Sequence, residues 1–214
     1  TLFRSQLPSV GAGNFLYDMI SSGKFPRTEL RKIYRQGANS GIVHNASRVL
    51  NGQMPEVIDP ITNERFKDYF FVPTDNEETT LAKLLEFVCE KIPDKYKYDP
   101  IKDIQTLSPG KAGTVGTHNL NDQLRLRLNP SGKQGFRDFR VGDKVINKKN
   151  RYDVGIVNGD VGIVADITPH GMEIDFGLGS NVEIDKDLGD NIYLAYAYTV
   201  HGSQGSEYPC CLMP

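Results

Sequence analysis

Apolar residues recur along this chain with two different periods, and the change falls near Gln134. Before it, helical spacing dominates. In "GNFLYDMISSGKFP", Phe15, Leu16, Met19 and Ile20 share one helix face, and Gly23 is placed to stop the helix. "TELRKIYRQGANSGIVHNASRVLNG" predicts a second helix, with Ser40 as its N-cap and Gly52 just past its end. "DYFFVPT" is rich in β-formers and predicts a strand that ends at Pro73. "DNEETTLAKLLEFVCEKI" carries the clearest helical stripe, Leu81, Leu84, Leu85, Val88 and Ile92, behind a capping box read at Asp75 and Glu78. "DIQTLSP" predicts a short strand. "HNLNDQLRLRLN" predicts a helix with Leu120, Leu124 and Leu128 on one face.

After Gln134 the pattern shortens. "FRVGDKVIN", "GIVNGDVGIVADI", "GMEIDFG" and "NVEID" are strand-length runs split by Gly, Asn and Asp, with no helix between them. They predict a small antiparallel β-barrel. "IYLAYAYTV" then returns as one long apolar run, as in a central strand of the first sheet. The expected fold class is α/β, interrupted by a β-barrel insertion.

Composition allows this. The 214 residues are 38% hydrophobic and 24% charged, enough for a packed core. No apolar run approaches the roughly 20 residues of a membrane-spanning helix. There is no signal-peptide pattern, and the first residue is Thr, so a fragment of a longer chain is expected. Cys89, Cys210 and Cys211 suggest neither a disulfide framework nor a zinc site, and read as buried thiols of a cytosolic protein. The net charge of −2 hides an asymmetry. Residues 1–94 hold 11 Lys/Arg and 12 Asp/Glu, residues 95–151 hold 13 and 5, and residues 152–214 hold 1 and 10. The middle is therefore +8 and the end −9, which suits a surface that meets a polyanion in one place.

Three stretches could carry chemistry. "TVHGSQG" would put Thr199, His201, Ser203 and Gln204 at the carboxyl edge of a sheet, where open α/β sheets bind ligands. Hydroxyl, imidazole and amide groups suit phosphate or sugar oxygens. "SPGKAGTVGTHNLN" ends a strand at Ser108 and Pro109, carries Lys111 in a glycine-rich turn, and starts a helix near Thr117 whose N–H groups should attract anions. It is not a phosphate-binding loop of the G-x-x-x-x-G-K-[ST] type. "IYRQ" offers Arg35, although a single arginine is more often a surface ion-pair partner. His44, His118, His170 and His201 lack metal-ligand spacing, and the acidic tail contains no calcium-type loop. No nucleophile–histidine–acid arrangement stands out.

In order, "QLPSVGAGNFLYDMI", "IYRQGANSGIVHNASRVLNG", "IQTLSPGKAGTVGTHNLNDQLRLRLNP", "FRVGDKVINKKNRYDVGIVNGDVGIV" and "YAYTVHGSQGSEYP" resemble the RecD-type helicases of superfamily 1. That group includes the alpha chain of exodeoxyribonuclease V and stand-alone relatives. The resemblance runs from Gln6 to Pro214. It implies the second RecA-like domain of a P-loop NTPase motor over 1–135, an SH3-like β-barrel over 136–190, and a returning motor segment over 191–214. It implies ATP-driven 5′–3′ movement on single-stranded DNA, with unwinding, in repair or recombination in the bacterial cytoplasm. Other recombination or nuclease subunits are implied partners.

By the same resemblance, Gln6 senses the γ-phosphate, Arg35 is the catalytic arginine finger, and Gly205 and Glu207 touch the nucleotide. Thr199, His201, Ser203 and Gln204 would grip the DNA backbone, and Ser108, Pro109, Lys111 and Asn119 would form a further DNA-facing motif. The barrel residues Asn150, Tyr152 and Asn158-Gly159-Asp160 would border the DNA path. ATP and Mg²⁺ are implied for the whole protein, held mainly by a part outside this chain. The chain departs from the family pattern in three ways. Thr1 to Ser5 lack its acidic residues, Gly202 stands where it often has Lys, and no Walker A, Walker B or final arginine motif is present. The chain alone is therefore expected to be inactive. A second reading is a non-catalytic SH3-like interaction module on an α/β scaffold.

Overall fold

The computed structural model describes residues 13–28, 40–57 and 66–214. They fall in two compact units, Thr1–Pro73 and Thr74–Pro214.

In the first unit, helix α1 (Phe15–Ser22) ends at Gly23, whose φ of 65° is the left-handed conformation glycine tolerates. Helix α2 (Gly41–Leu50) starts at Ser40, whose Oγ accepts from Val43 N–H as expected. Asp68 accepts from the Ser40 hydroxyl and the Gly41 N–H, so the cap has its own anchor. Buried Asn45 exchanges two hydrogen bonds with the backbone of Glu56. The strand expected in "DYFFVPT" does not form. Asp68–Thr74 makes no ladder with any described residue, and Phe70 and Phe71 stay about half exposed. Strand propensity records fit to a neighbouring pleated surface, and none is offered there.

In the second unit, helix α3 (Glu77–Glu86) is capped one residue later than expected. Asn76, not Asp75, accepts from Thr79 N–H at 2.8 Å, and Thr79 Oγ1 accepts in turn from Asn76 N–H. A π-helical turn, Phe87–Lys91, leads into helix α4 (Ile92–Tyr96). Leu84, Leu85 and Val88 are buried, with Leu81 and Ile92 packed beside them.

Strand β1 (Ile104–Ser108) is buried along its whole length. It lies at the centre of a parallel sheet, between β7 (Ala197–Thr199) and β8 (Cys210–Leu212). Helix α5 (Thr117–Leu128) brings Leu120 and Leu124 into the core with Ile104 and Ala197. Its buried Asn121 does the work of a neighbouring strand. The side chain donates to Ala197 O at 2.7 Å and accepts from Ala197 N–H at 2.9 Å, closing the free side of β7.

Between β1 and β7 stands an antiparallel sheet with its own core. Its strands are β2 (Lys144–Asn147), β3 (Val161–Ile167), β4 (Met172–Asp175), β5 (Val182–Ile184) and β6 (Ile192–Leu194), in the order β5-β4-β3-β2-β6. A short helix, α6 (Lys186–Gly189), precedes β6. A bulge between Val164 and Asp166 shifts the pairing of β3 with β4. The extra residue moves the buried phase from Gly162 and Val164 to Ile167, which strict alternation would turn outward.

The fold is thus α/β with an antiparallel insertion. The apolar run at Ile192–Val200, expected as one strand, is divided between the sheets. Ile192–Leu194 pairs with β2, Ala197–Thr199 pairs with β1, and buried Ala195 and Tyr196 join them. Ala195, Leu107, Ile146 and Tyr198 form a small core where the two sheets meet.

Candidate nucleic-acid interface

Parallel pairing decides where the candidate residues emerge. β1 and β7 align with Leu107 opposite Tyr198 and Ser108 opposite Thr199. Both strands therefore end at one edge, and Val200 N–H closes onto Ser108 O at 3.1 Å.

The loop after β1 folds inward on itself. Ser108 is 1% exposed, and its hydroxyl lies 2.8 Å from Val115 O and 3.1 Å from Gly110 O. The Asn119 amide donates to Thr114 O at 2.6 Å. Gly116 makes the closure possible, because a Cβ there would stand 2.3 Å from Ala112 O. The loop also consumes the first amides of α5: Thr117 N–H donates to Gly110 O and His118 N–H to Lys111 O, each at 3.1 Å. The expectation that this helix start would attract an anion is narrowed accordingly, since the Thr117 and His118 donors are already taken. Pro109 and Lys111 remain exposed, while Ser108 and Asn119 shape the loop that presents them.

The segment after β7 turns through a 3₁₀ helix, His201–Ser203. Thr199 Oγ1 accepts from Gly202 N–H at 3.1 Å, and the Ser203 hydroxyl donates to Val200 O at 2.8 Å. Thr199 keeps its hydroxyl proton to donate. His201 and Gln204 are exposed, and the His201 ring has no partner among the described residues. Gly205 takes φ 89°, turning the chain toward exposed Glu207. Gln6 and Arg35 lie outside the described residues.

The loop between β2 and β3 is built on buried Asn147, whose amide donates to Lys149 O and Val157 O. Asn150 donates to Tyr152 Oη at 3.1 Å and accepts from Asn158 N–H at 2.7 Å. Asp160 accepts from Val157 N–H, and Gly159 takes φ 102°. Hydrogen bonds from Arg151 hold the Asp153 carboxyl down at about 2. Tyr152 is 78% exposed, a ring face open to stacking. No described contact joins Asn150, Tyr152 or Asn158 to the strand-end residues.

Lys148 makes that connection, and sequence reasoning missed it. Its Nζ lies 5.6 Å from the centroid of the Tyr198 ring, and 3.4 Å from where a Cβ on Gly202 would stand. Burial first, and then the like charge of Lys111, hold its ammonium below the ordinary lysine range. In the sequence Lys148 sits in "NKKN", which reads as a solvated turn. The only signal was the basic balance of residues 95–151. The edge thus gathers Lys111, Lys148, Thr199, His201 and Gln204, groups that suit backbone phosphate oxygens.

Behind this edge, the carboxylate of Asp143, itself 0% exposed, ties α5 to the antiparallel sheet. Asn129 Nδ2 and Tyr196 Oη donate to its Oδ1 at 2.8 and 3.0 Å, and Arg140 N–H donates to Oδ2 at 2.8 Å. Arg125 Nε pairs with Oδ2 at 3.3 Å as an ion pair, outside hydrogen-bond alignment. Among the described residues, no three His, Cys, Asp or Glu side chains stand where they could hold a metal ion, and no helix is long and apolar enough to cross a membrane.

Residues 120–176 match the domain described as "ATP-dependent RecD-like DNA helicase SH3 domain". The chain is 31% identical over 207 residues to the ATP-dependent RecD2 DNA helicase of Deinococcus radiodurans, covering 95% of this chain and 26% of that protein. It is 26% identical over 201 residues to the RecBCD enzyme subunit RecD of Buchnera aphidicola, covering 84% of this chain and 32% of that protein. It therefore spans about a quarter to a third of the length of these curated relatives. A solved structure, the Pif1 helicase from Bacteroides in complex with ADP-AlF3 and ssDNA, has a similar fold. Its TM-score is 0.53 at 18% identity, over 87% of this chain and 45% of that one.

Proposed function

We propose that this chain, a relative of the RecD-like DNA helicases that carries their SH3 domain, is the DNA-gripping half of an ATP-dependent motor. The whole protein would move 5′ to 3′ on single-stranded DNA during repair or recombination, as the alpha chain of an exodeoxyribonuclease V-like enzyme or a stand-alone helicase. The motor domain would comprise residues 1–135 and a returning segment, with the barrel between. Because β6 pairs with β2, we put the far boundary of the barrel after Leu194, in place of 190.

The observation that carries the reading is the alignment of two parallel strand ends, Ser108 beside Thr199, from which Lys111, His201 and Gln204 emerge exposed. Thr199, Ser203 and Gln204 would hold DNA phosphates. Gly205 and Glu207, a few residues further on, would meet the nucleotide. When bound, ATP supplies the free energy for closure of the motor. Arg35 would stabilise charge on its transferring phosphoryl group. Mg²⁺ would be held by residues outside this chain.

The test is ATP hydrolysis by the intact protein with and without single-stranded DNA. DNA should stimulate it, Arg35→Ala should abolish it while DNA binding persists, and His201→Ala with Gln204→Ala should remove the stimulation. No DNA-stimulated hydrolysis in the wild type would refute the reading and leave the interaction-module alternative ahead.

A further inference from the structure

Two cations meet at the strand-end edge, and they come from different parts of the fold. Lys111 follows β1, and Lys148 follows β2 of the inserted sheet. Neither makes an ion pair with a carboxylate among the described residues. Burial first, and then the charge of Lys111, add to the cost of keeping Lys148 protonated. Such an arrangement is relieved by an anion placed between or before the two groups. Gly202 leaves the space. Lys148 Nζ and the Thr199 hydroxyl both border the place of its missing Cβ, at 3.4 and 3.2 Å. The Tyr198 ring presents its π face to the ammonium, 5.6 Å from centroid to Nζ.

We propose that Lys148, reaching in from the barrel, supplies with Lys111 the cationic seat for one DNA phosphate above Gly202. The barrel then contributes a charge to the grip itself. This rests on the DNA reading above. The ligand is a phosphodiester of single-stranded DNA, recognised without regard to base. The two lysines belong to the one segment of the chain with excess positive charge, residues 95–151.

The experiment measures binding of a labelled oligodeoxythymidylate to the intact protein from about 50 to about 200 mM salt, where counterion release is read as a slope. Lys148→Gln and Lys148→Ala should weaken binding and lower the slope of log K against log salt by about 0.7, the loss of one phosphate contact on a single strand. Adding Gly202→Lys to Lys148→Ala, which returns a cation to the same spot from the opposite side, should restore both. Wild-type binding that Lys148→Gln leaves unchanged in strength and slope overturns this inference while the DNA reading stands. Weakened binding with an unaltered slope, unrescued by Gly202→Lys, also overturns it, because it marks a structural role. No binding by the wild type overturns the DNA reading itself, and this inference with it.

Discussion

Replacing Asp143 with Asn tests what joins the barrel to the parallel sheet. The change keeps the shape of the side chain but removes its charge. Three hydrogen-bond donors converge on the carboxylate, from Asn129, Tyr196 and Arg140, and Arg125 pairs with it as an ion pair. An amide offers one acceptor oxygen and turns an NH₂ toward the remaining donors. It also leaves the Arg125 guanidinium, 14% exposed, with no anion. An ion pair in solvent is worth about 0–1 kcal/mol. Breaking a buried one costs about 3–5 kcal/mol, because a charge is left uncompensated. The complete burial of Asp143 selects the larger figure. With a urea slope of about 2 kcal/mol/M, the midpoint should fall by about 2 M. Urea unfolding of the wild type and the variant, followed by circular dichroism, measures it. A shift below about 0.5 M for Asp143→Asn would refute the reasoning.

Three further outcomes are expected. Lys144 is buried and donates to Ile104 O, and burial pushes its ammonium down to about 8. A lowered folded-state pKa means the unfolded chain binds more protons, so stability should rise by about 1 kcal/mol between pH 8 and 9 relative to Lys144→Met. Burial raises the thiols of Cys89 and Cys210 and the phenols of Tyr196 and Tyr198, which pull the other way at higher pH but cancel in that difference. Gly116→Ala should open the loop that presents Lys111, because its Cβ would meet Ala112 O at 2.3 Å; weakened single-stranded DNA binding by a folded variant is the readout. Leu120→Ala, at a fully buried site, should cost about 2–5 kcal/mol in chemical denaturation. Phe15→Ala, at a site 72% exposed, should stay within about 0.5 kcal/mol of wild type.

The helices and short strands of the second unit were legible because each buries one periodic face: the Leu84–Val88 stripe, the Leu120–Leu124 pair, and the alternating runs of the barrel. The capping box was half legible. Asp75 and Asn76 are both good caps, and sequence gave no means to choose between them. The division of Ile192–Val200 was not legible, since both sheets bury apolar residues and the buried link at Ala195-Tyr196 carries no turn signal. "DYFFVPT" misled because strand propensity says nothing about whether a partner exists. At the candidate site, the convergence of the two strand ends followed from the α/β pattern. The inward folding of the Ser108 loop did not, because a glycine-rich turn looks the same whether its amides face solvent or its own carbonyls. Lys148 was hidden for a related reason: its neighbours in space are Gly202 and Tyr198, fifty or more positions away in sequence.

The link between β6 and β7 has a mechanical consequence. Inserted domains usually hang on exposed, pliable connectors and drift relative to their hosts. Here the exit from the insertion is two residues long, with Ala195 0% and Tyr196 3% exposed, and the entrance is fastened through Asp143. The exit offers no solvent-facing residue to absorb a change in backbone angle, whereas the entrance passes through exposed residues such as Pro130, Ser131 and Lys133 before Asp143 fastens it. Torque applied at the end of β7 should therefore pass through the exit to the barrel without slack. The barrel would swing as a stiff arm of the motor, and its tip, where Tyr152 stands, would travel farther than the sheet edge that drives it.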